Sequence, residues 1–139
     1  MKVLTVSSAN MDLVLTTEKV PLGGETFISN EGYCYVPGGK GANSALAFAR
    51  LGGDSVFCTS VGNDANGDAL VSLYDNSGIN TEYIERNEAF PTGLAAIILE
   101  KECAQNRIIV YPGANMHISC AKIDAAIASR PDAVFMQFE

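Results

Sequence analysis

Tryptophan is absent from this 139-residue chain, and histidine occurs once, as His117. A single histidine cannot build a multi-histidine zinc site. The four cysteines, Cys34, Cys58, Cys103 and Cys120, form no Cys-x-x-Cys pair that would replace it. Scattered this way, they read as thiols of a reducing cytoplasm. Nothing around His117 marks a nucleophile elbow, so Ser-His-Asp or Cys-His chemistry has no support. Basic residues are also scarce: nine Lys and Arg face sixteen Asp and Glu, a net charge of -7. That argues against non-specific nucleic-acid binding and anionic membranes as partners, since both require basic patches. No apolar run approaches the length of a membrane span, and Met1-Lys2-Val3-Leu4 does not open a signal peptide. Internal repeats and low-complexity tracts are missing as well.

What remains is a globular composition, 47% apolar and 18% charged. The length suffices for one modest core but is short for an α/β nucleotide-binding enzyme. Strands are expected at Lys2 to Ser7, Leu13 to Val20, Thr26 to Ser29 and Tyr33 to Val36. The last three form a meander, with Asn30-Glu31-Gly32 as its second turn. The rhythm then changes. A helix is expected over Ala42 to Leu51, stopped by Gly52-Gly53, and a strand over Ser55 to Val61. A second helix over Ala65 to Asn76 has Asp64 as its cap and Gly78 at its end. A weaker strand over Thr81 to Ile84 follows. Strands at Thr92 to Glu100 and Arg107 to Tyr111 make a hairpin across the polar loop Lys101 to Asn106. Ser119 caps a helix over Cys120 to Ala128, and Asp132 to Phe138 reads as a buried strand.

These elements interleave two textures. Segments 1–12, 40–90 and 113–139 alternate strand and helix, the mark of a parallel α/β sheet of Rossmann-like type. Segments 13–39 and 91–112 contain strands only, and such inserts commonly make a lid over the strand ends. The final strand runs to the last residue with nothing after it to cover it. The expectation is a fragment of a longer protein, or a partner that completes the sheet.

The richest stretch is Pro37-Gly38-Gly39-Lys40-Gly41-Ala42-Asn43. Its glycines clear side chains away from the backbone at a helix start, where hydroxyls and anions bind well. It is not a Walker A loop, because Gly41 rather than Ser or Thr follows Lys40. A flexible strand-to-helix turn is the plainer reading. Asn10 and Asp12 lie just past the first strand, and they suit either an Asx turn or hydroxyl binding. Gly39, Lys40 and Asn43 form a second polar cluster. Glu139 forms the third, either as a solvated terminal residue or as a carboxylate reaching the same pocket. Ala95, Ile97 and Val110, on the second hairpin, suit lid packing or the carbon face of a sugar.

Read together, several segments resemble one family. They are Ser7-Ser8-Ala9-Asn10-Met11-Asp12, Pro21-Leu22-Gly23-Gly24-Glu25-Thr26 and Gly38-Gly39-Lys40-Gly41-Ala42-Asn43. Val61-Gly62-Asn63-Asp64, Thr92-Gly93, Gly113-Ala114-Asn115 and Met136-Gln137-Phe138-Glu139 continue the match in order. The chain is similar to the N-terminal part of the PfkB-type carbohydrate kinases, and its ending is most similar to the ribokinases. Ser7 and Asn63 stand where the family often has Gly and Asp. The resemblance implies transfer of a phosphoryl group from ATP to a primary hydroxyl of D-ribose. A nucleoside or fructose-type kinase, or a truncated non-catalytic fragment that binds sugar or dimerises, are the alternatives. It implies that Asn10, Asp12, Gly39, Lys40, Asn43 and Glu139 hold sugar hydroxyls, with Ala95, Ile97 and Val110 lining the lid side. It further implies ATP, Mg2+ and a monovalent cation in the intact enzyme, and a homodimer through the β lid. The family's second signature, a Gly-Ala-Gly-Asp-type loop carrying the catalytic base and anion hole, is not in this chain. Residues 1–139 alone are therefore expected to be inactive.

Overall fold

In the computed structural model, which describes residues 1–138, two four-stranded sheets are built from one chain. The elements run β1 (Lys2–Val6), β2 (Asn10–Thr17), β3 (Gly32–Gly38), α1 (Lys40–Arg50), β4 (Asp54–Gly62) and α2 (Ala65–Asn76). They continue with β5 (Ile84–Asn87), β6 (Gly93–Glu100), β7 (Gln105–Tyr111), a 3-10 turn (Gly113–His117), α3 (Cys120–Ala128) and β8 (Ala133–Met136).

The first sheet has the order β5-β4-β1-β8 and is parallel throughout. Its centre is β4, where Ser55 to Gly62 are all buried, as expected of a strand covered on both faces. On one face Phe57 and Val61 pack with Ala42, Ala45 and Leu46 of α1 and with Leu70 and Tyr74 of α2. The Phe57 and Tyr74 rings meet edge to face at 5.3 Å. On the other face Leu4, Val6, Val56 and Cys58 pack against Ala126 and Ile123 of α3. The helix starts follow their caps. Asp64 accepts the Gly67 N–H at 2.8 Å, and Ser119 accepts the Lys122 N–H at 3.2 Å.

The second sheet has the order β3-β2-β6-β7. Two antiparallel hairpins, β2–β3 and β6–β7, join side by side through a parallel β2–β6 pair.

Several expectations need correction. Thr26 to Ser29 forms no strand. β2 has β3 on one edge, from Asn10↔Gly38 to Thr16↔Gly32, and β6 on the other, so neither edge of β2 is left for it. The Ser29 hydroxyl instead donates to the Thr16 carbonyl at 3.1 Å. There is thus no three-strand meander. β2 begins at Asn10 rather than Leu13, and α1 begins at Lys40 rather than Ala42. The weak strand lies at Ile84–Asn87, where it pairs with Thr59 to Gly62, and residues 81–83 turn into it. The last strand is confined to Ala133–Met136, the reach of its pairing with β1, and as the edge strand of its sheet it is exposed rather than buried. The 3-10 turn was not anticipated.

Candidate functional site

The site lies where the two sheets meet. β1 ends at Val6, and the short link Ser7-Ser8-Ala9 carries the chain into β2. Asn10 and Asp12 therefore stand at the carboxyl end of β1 and on the first residues of β2. Side chains alternate along a strand, so Asn10, Asp12 and Val14 share one face of the second sheet. Register sets their neighbours. Asp12 pairs with Ala95 on β6 and Val36 on β3, Val14 with Ile97, and Ala95 in turn with Val110 on β7. Five of the expected residues, Asn10, Asp12, Ala95, Ile97 and Val110, thus occupy a single face.

The helix start completes the junction. Gly39 is the N-cap of α1, with φ 98, a conformation that L side chains rarely adopt. A Cβ on it would lie 2.8 Å from the Ser8 carbonyl and 3.2 Å from the Asn10 nitrogen. A Cβ on Gly38 would strike the Asp12 carboxylate. Both glycines are therefore required by close approach. No side chain caps α1, unlike α2 and α3. Its first N–H groups are the kind that bind ligand oxygens. Lys40 and Asn43 stand exposed on its first turn, and the Asn43 N–H donates to the Gly39 carbonyl at 2.9 Å.

Beside this junction is a cleft of about 280 Å³, lined by Ser7, Ser8, Asn10, Val110, Asn115, Gln137 and Phe138 among others. Asn10 and Val110 are the two expected residues on its wall. Asp12, Gly39, Lys40, Asn43, Ala95 and Ile97 are not on its wall. Glu139 lies outside the described residues. A larger open groove of about 850 Å³, at the β6–β7 tip near Glu100 and Lys101, is far along the strands from this junction. Its tip position gives it none of the converging groups.

Burial raises the Asp12 carboxyl above its ordinary range. At Asp64 burial pulls the same way, but hydrogen bonds outweigh it. They come from the Thr92 N–H and hydroxyl at 2.8 and 2.7 Å and from the Gly67 and Asn66 N–H groups, and they hold this carboxyl low. Thr92 also accepts the Gly62 N–H at 3.0 Å. Asp64 thereby ties the α2 start to Thr92, which leads into β6. This clamp, and the Asn115 contacts with Ala9 and Asn10, were not picked out as site groups by sequence reasoning. The available signals were Asp64 as a cap and the Gly113-Ala114-Asn115 tripeptide. Among the described residues no group of three or more His, Cys, Asp or Glu comes together. Likewise no helix among them is long and apolar enough to cross a membrane.

Known proteins share this arrangement. Residues 1–134 match the pfkB family carbohydrate kinases. The bifunctional ribokinase/ribose-5-phosphate isomerase A of Fructilactobacillus sanfranciscensis is 40% identical over 124 residues, 89% of this chain and 23% of that protein. The ribokinase of Bacillus subtilis is 39% identical over 119 residues, 86% of this chain and 40% of its own. The solved Arabidopsis thaliana ribokinase, complexed with ribose and ATP, superposes with a TM-score of 0.85 at 31% identity. That match covers 98% of this chain and 45% of the other. The chain thus spans less than half the length of these relatives. With 134 consecutive residues matched in sequence and the same α/β fold, the chain belongs to the pfkB family of carbohydrate kinases, which are transferases.

Proposed function

We propose that this chain is the sugar-binding part of an ATP-dependent carbohydrate kinase whose sugar is D-ribose. The observation that carries this reading is the meeting of Asn10, Asp12 and the uncapped, glycine-lined start of α1 at the carboxyl end of β1. An amide, a carboxylate and the first-turn backbone N–H groups of α1 in one place suit several hydroxyls at once. The aliphatic face of Ala95, Ile97 and Val110 suits the carbon side of the ring, with the second sheet acting as a lid. Lys40 and Asn43 extend the polar wall from α1, and Glu139 is kept as a further hydroxyl acceptor in this reading. ATP supplies the phosphoryl group in the whole protein. The chain's own groups bind and orient the acceptor.

A nucleoside would require an aromatic ring to stack its base. Tyr33, Tyr35 and Tyr111 pair with Leu15, Leu13 and Leu94, and so lie on the opposite face from Asp12, whereas Phe138 is an aromatic ring on the cleft wall. Calorimetric titration of the 139-residue chain with D-ribose, D-fructose and adenosine tests the proposal. Binding of ribose in preference to the other two, without ATP turnover, is the expected result. Preference for adenosine or fructose, or no binding of ribose, would overturn it. We further propose a two-fold homodimer through the second sheet, whose exposed apolar side chains include Tyr33, Tyr35 and Ile109.

A further inference from the structure

The side chain of Asn115 is held by the backbone of the β1–β2 link. Its Oδ1 accepts the Ala9 N–H at 2.9 Å. Its Nδ2 donates to the Ala9 carbonyl at 3.2 Å and to Asn10 Oδ1 at 2.7 Å. A backbone N–H only donates, so the Asn115 atom facing Ala9 N must be the oxygen. The nitrogen then faces Asn10. Asn10 must answer with its own oxygen, because a second NH2 there would find no acceptor. Its amide is thereby turned, and its NH2 is left for the cleft that both asparagines line. Gly93 seals the arrangement where β6 begins. A Cβ on it would collide with both Asn115 Nδ2 and Asn10 Oδ1, so the pair packs against bare backbone.

We infer that Asn115 is a positioning residue that fixes Asn10 as a hydrogen-bond donor, so that the site takes a lone pair of a ligand oxygen at Asn10 and an O–H at Asp12. The inference rests on the sugar-binding reading above and deepens it. An ionised Asp12 only accepts, and an Asn10 oriented in this way only donates toward the cleft. Two residues on one face of β2 therefore read opposite halves of hydroxyl chemistry. A hydroxyl satisfies either position. A carbonyl or ether oxygen satisfies only Asn10, and an ammonium only Asp12. The ligand class is a neutral polyol, and an amino sugar whose ammonium fell at Asn10 would meet a donor and be rejected.

Nuclear magnetic resonance on the 15N-labelled 139-residue chain tests this in two arms. The first arm is hydrogen exchange of the side-chain amides without ligand. The Asn115 NH2 should exchange at least about tenfold more slowly than the Asn10 NH2, because both its protons are donated internally. The second arm is titration with D-ribose, which should shift the Asn10 NH2 signal. Asn115→Asp keeps the acceptor for Ala9 but removes the donor to Asn10. It should turn the Asn10 amide around and weaken ribose binding at least about tenfold. Asn115→Ala leaves Asn10 free to choose and should weaken binding less. A merely structural role gives the reverse order, since Asp is nearly isosteric and Ala leaves a gap. Equal exchange of the two amides, or Ala worse than Asp, would overturn the inference. So would ribose shifting Asp12 and Gly39 but not the Asn10 NH2. Ribose that shifts none of the three residues defeats the sugar reading instead. The exchange arm, which needs neither ligand nor variant, then decides the orientation alone.

Discussion

The two sheets differ most in what they leave uncovered. In the first, β4 is buried at every residue after Asp54. In the second, all of β7 is exposed, and β3 is exposed from Gly32 to Pro37. Both use the same apolar, β-branched residue types. Burial is therefore not a property of the strands but of what packs on them: α1, α2 and α3 cover the centre of the first sheet while its edge strand β8 stays exposed, and no helix covers the outer strands of the second. The first sheet is a platform that holds its own shape. The second has apolar surface to spend on a ligand or on another copy of the chain, and the site sits on the seam between them.

The sharpest way to break this contrast is to truncate one residue in each sheet. Phe57→Ala should cost about 3–5 kcal/mol of unfolding free energy, through lost burial and the cavity beside Tyr74. Ile109→Ala, 70% exposed on β7, should cost under about 1 kcal/mol. Urea unfolding of both variants measures it, and similar losses would dissolve the distinction.

At the seam, function and stability should part company. Asp12→Asn removes a charged acceptor and should cost about 2–4 kcal/mol of ribose binding by calorimetry. Because burial raises the Asp12 carboxyl, its ionised form is unfavourable in the fold, and the same variant should melt higher at neutral pH. A Tm that fell would contradict the burial argument.

Asp64 should behave oppositely. Its folded carboxyl is lowered, so its stabilisation is present above the unfolded carboxylate pKa and is lost as pH falls through the folded value. Asp64→Ala should cost about 1–2 kcal/mol near neutrality, from the α2 cap and the Thr92 tie. The gap from wild type should narrow as the solution is acidified below pH 4, which thermal melts at stepped pH would follow. A gap that stayed constant across that range would count against the clamp.

A small effect on the single chain is also expected from Ile98→Asp, on the second-sheet face that also carries Tyr33 and Tyr35. Its cost to the monomer should stay near about 1 kcal/mol. Its effect should instead be on association, with light scattering showing a dimer reduced to monomer. A dimer indifferent to this charge would place the contact elsewhere.

Much of this was legible in the residues because local chemistry decided it. Asp64 and Gly78 bracket α2, Ser119 starts α3, and the run from Ser55 to Val61, small polar groups among Val, Phe and Cys, reads as a strand. The Gly38-Gly39-Lys40 start of α1 announced a close approach, and the close approach is there. What stayed hidden depended on partners distant in sequence. Thr26 to Ser29 has strand-like residues, but both edges of β2 are taken by β3 and β6. Ile84–Asn87 is a strand because Thr59 to Gly62 offer a ladder, not because of its own composition. Asn115 reads as a loop polar residue until it is seen holding Ala9 and Asn10, more than a hundred positions earlier.

The β2–β6 pair has a further consequence for a chain made from its N-terminus. When β3 leaves the ribosome, β2 has a partner on one edge only. The strand that will occupy the other edge is not complete until about 60 residues later, several seconds at ordinary elongation rates. Throughout that interval a strand carrying Leu13, Val14 and Leu15 presents open N–H and C=O groups. Nascent chains are therefore most vulnerable to mispairing with one another before Glu100 has been added, and slowing translation between Gly38 and Glu100 should lower the soluble yield more than slowing it elsewhere.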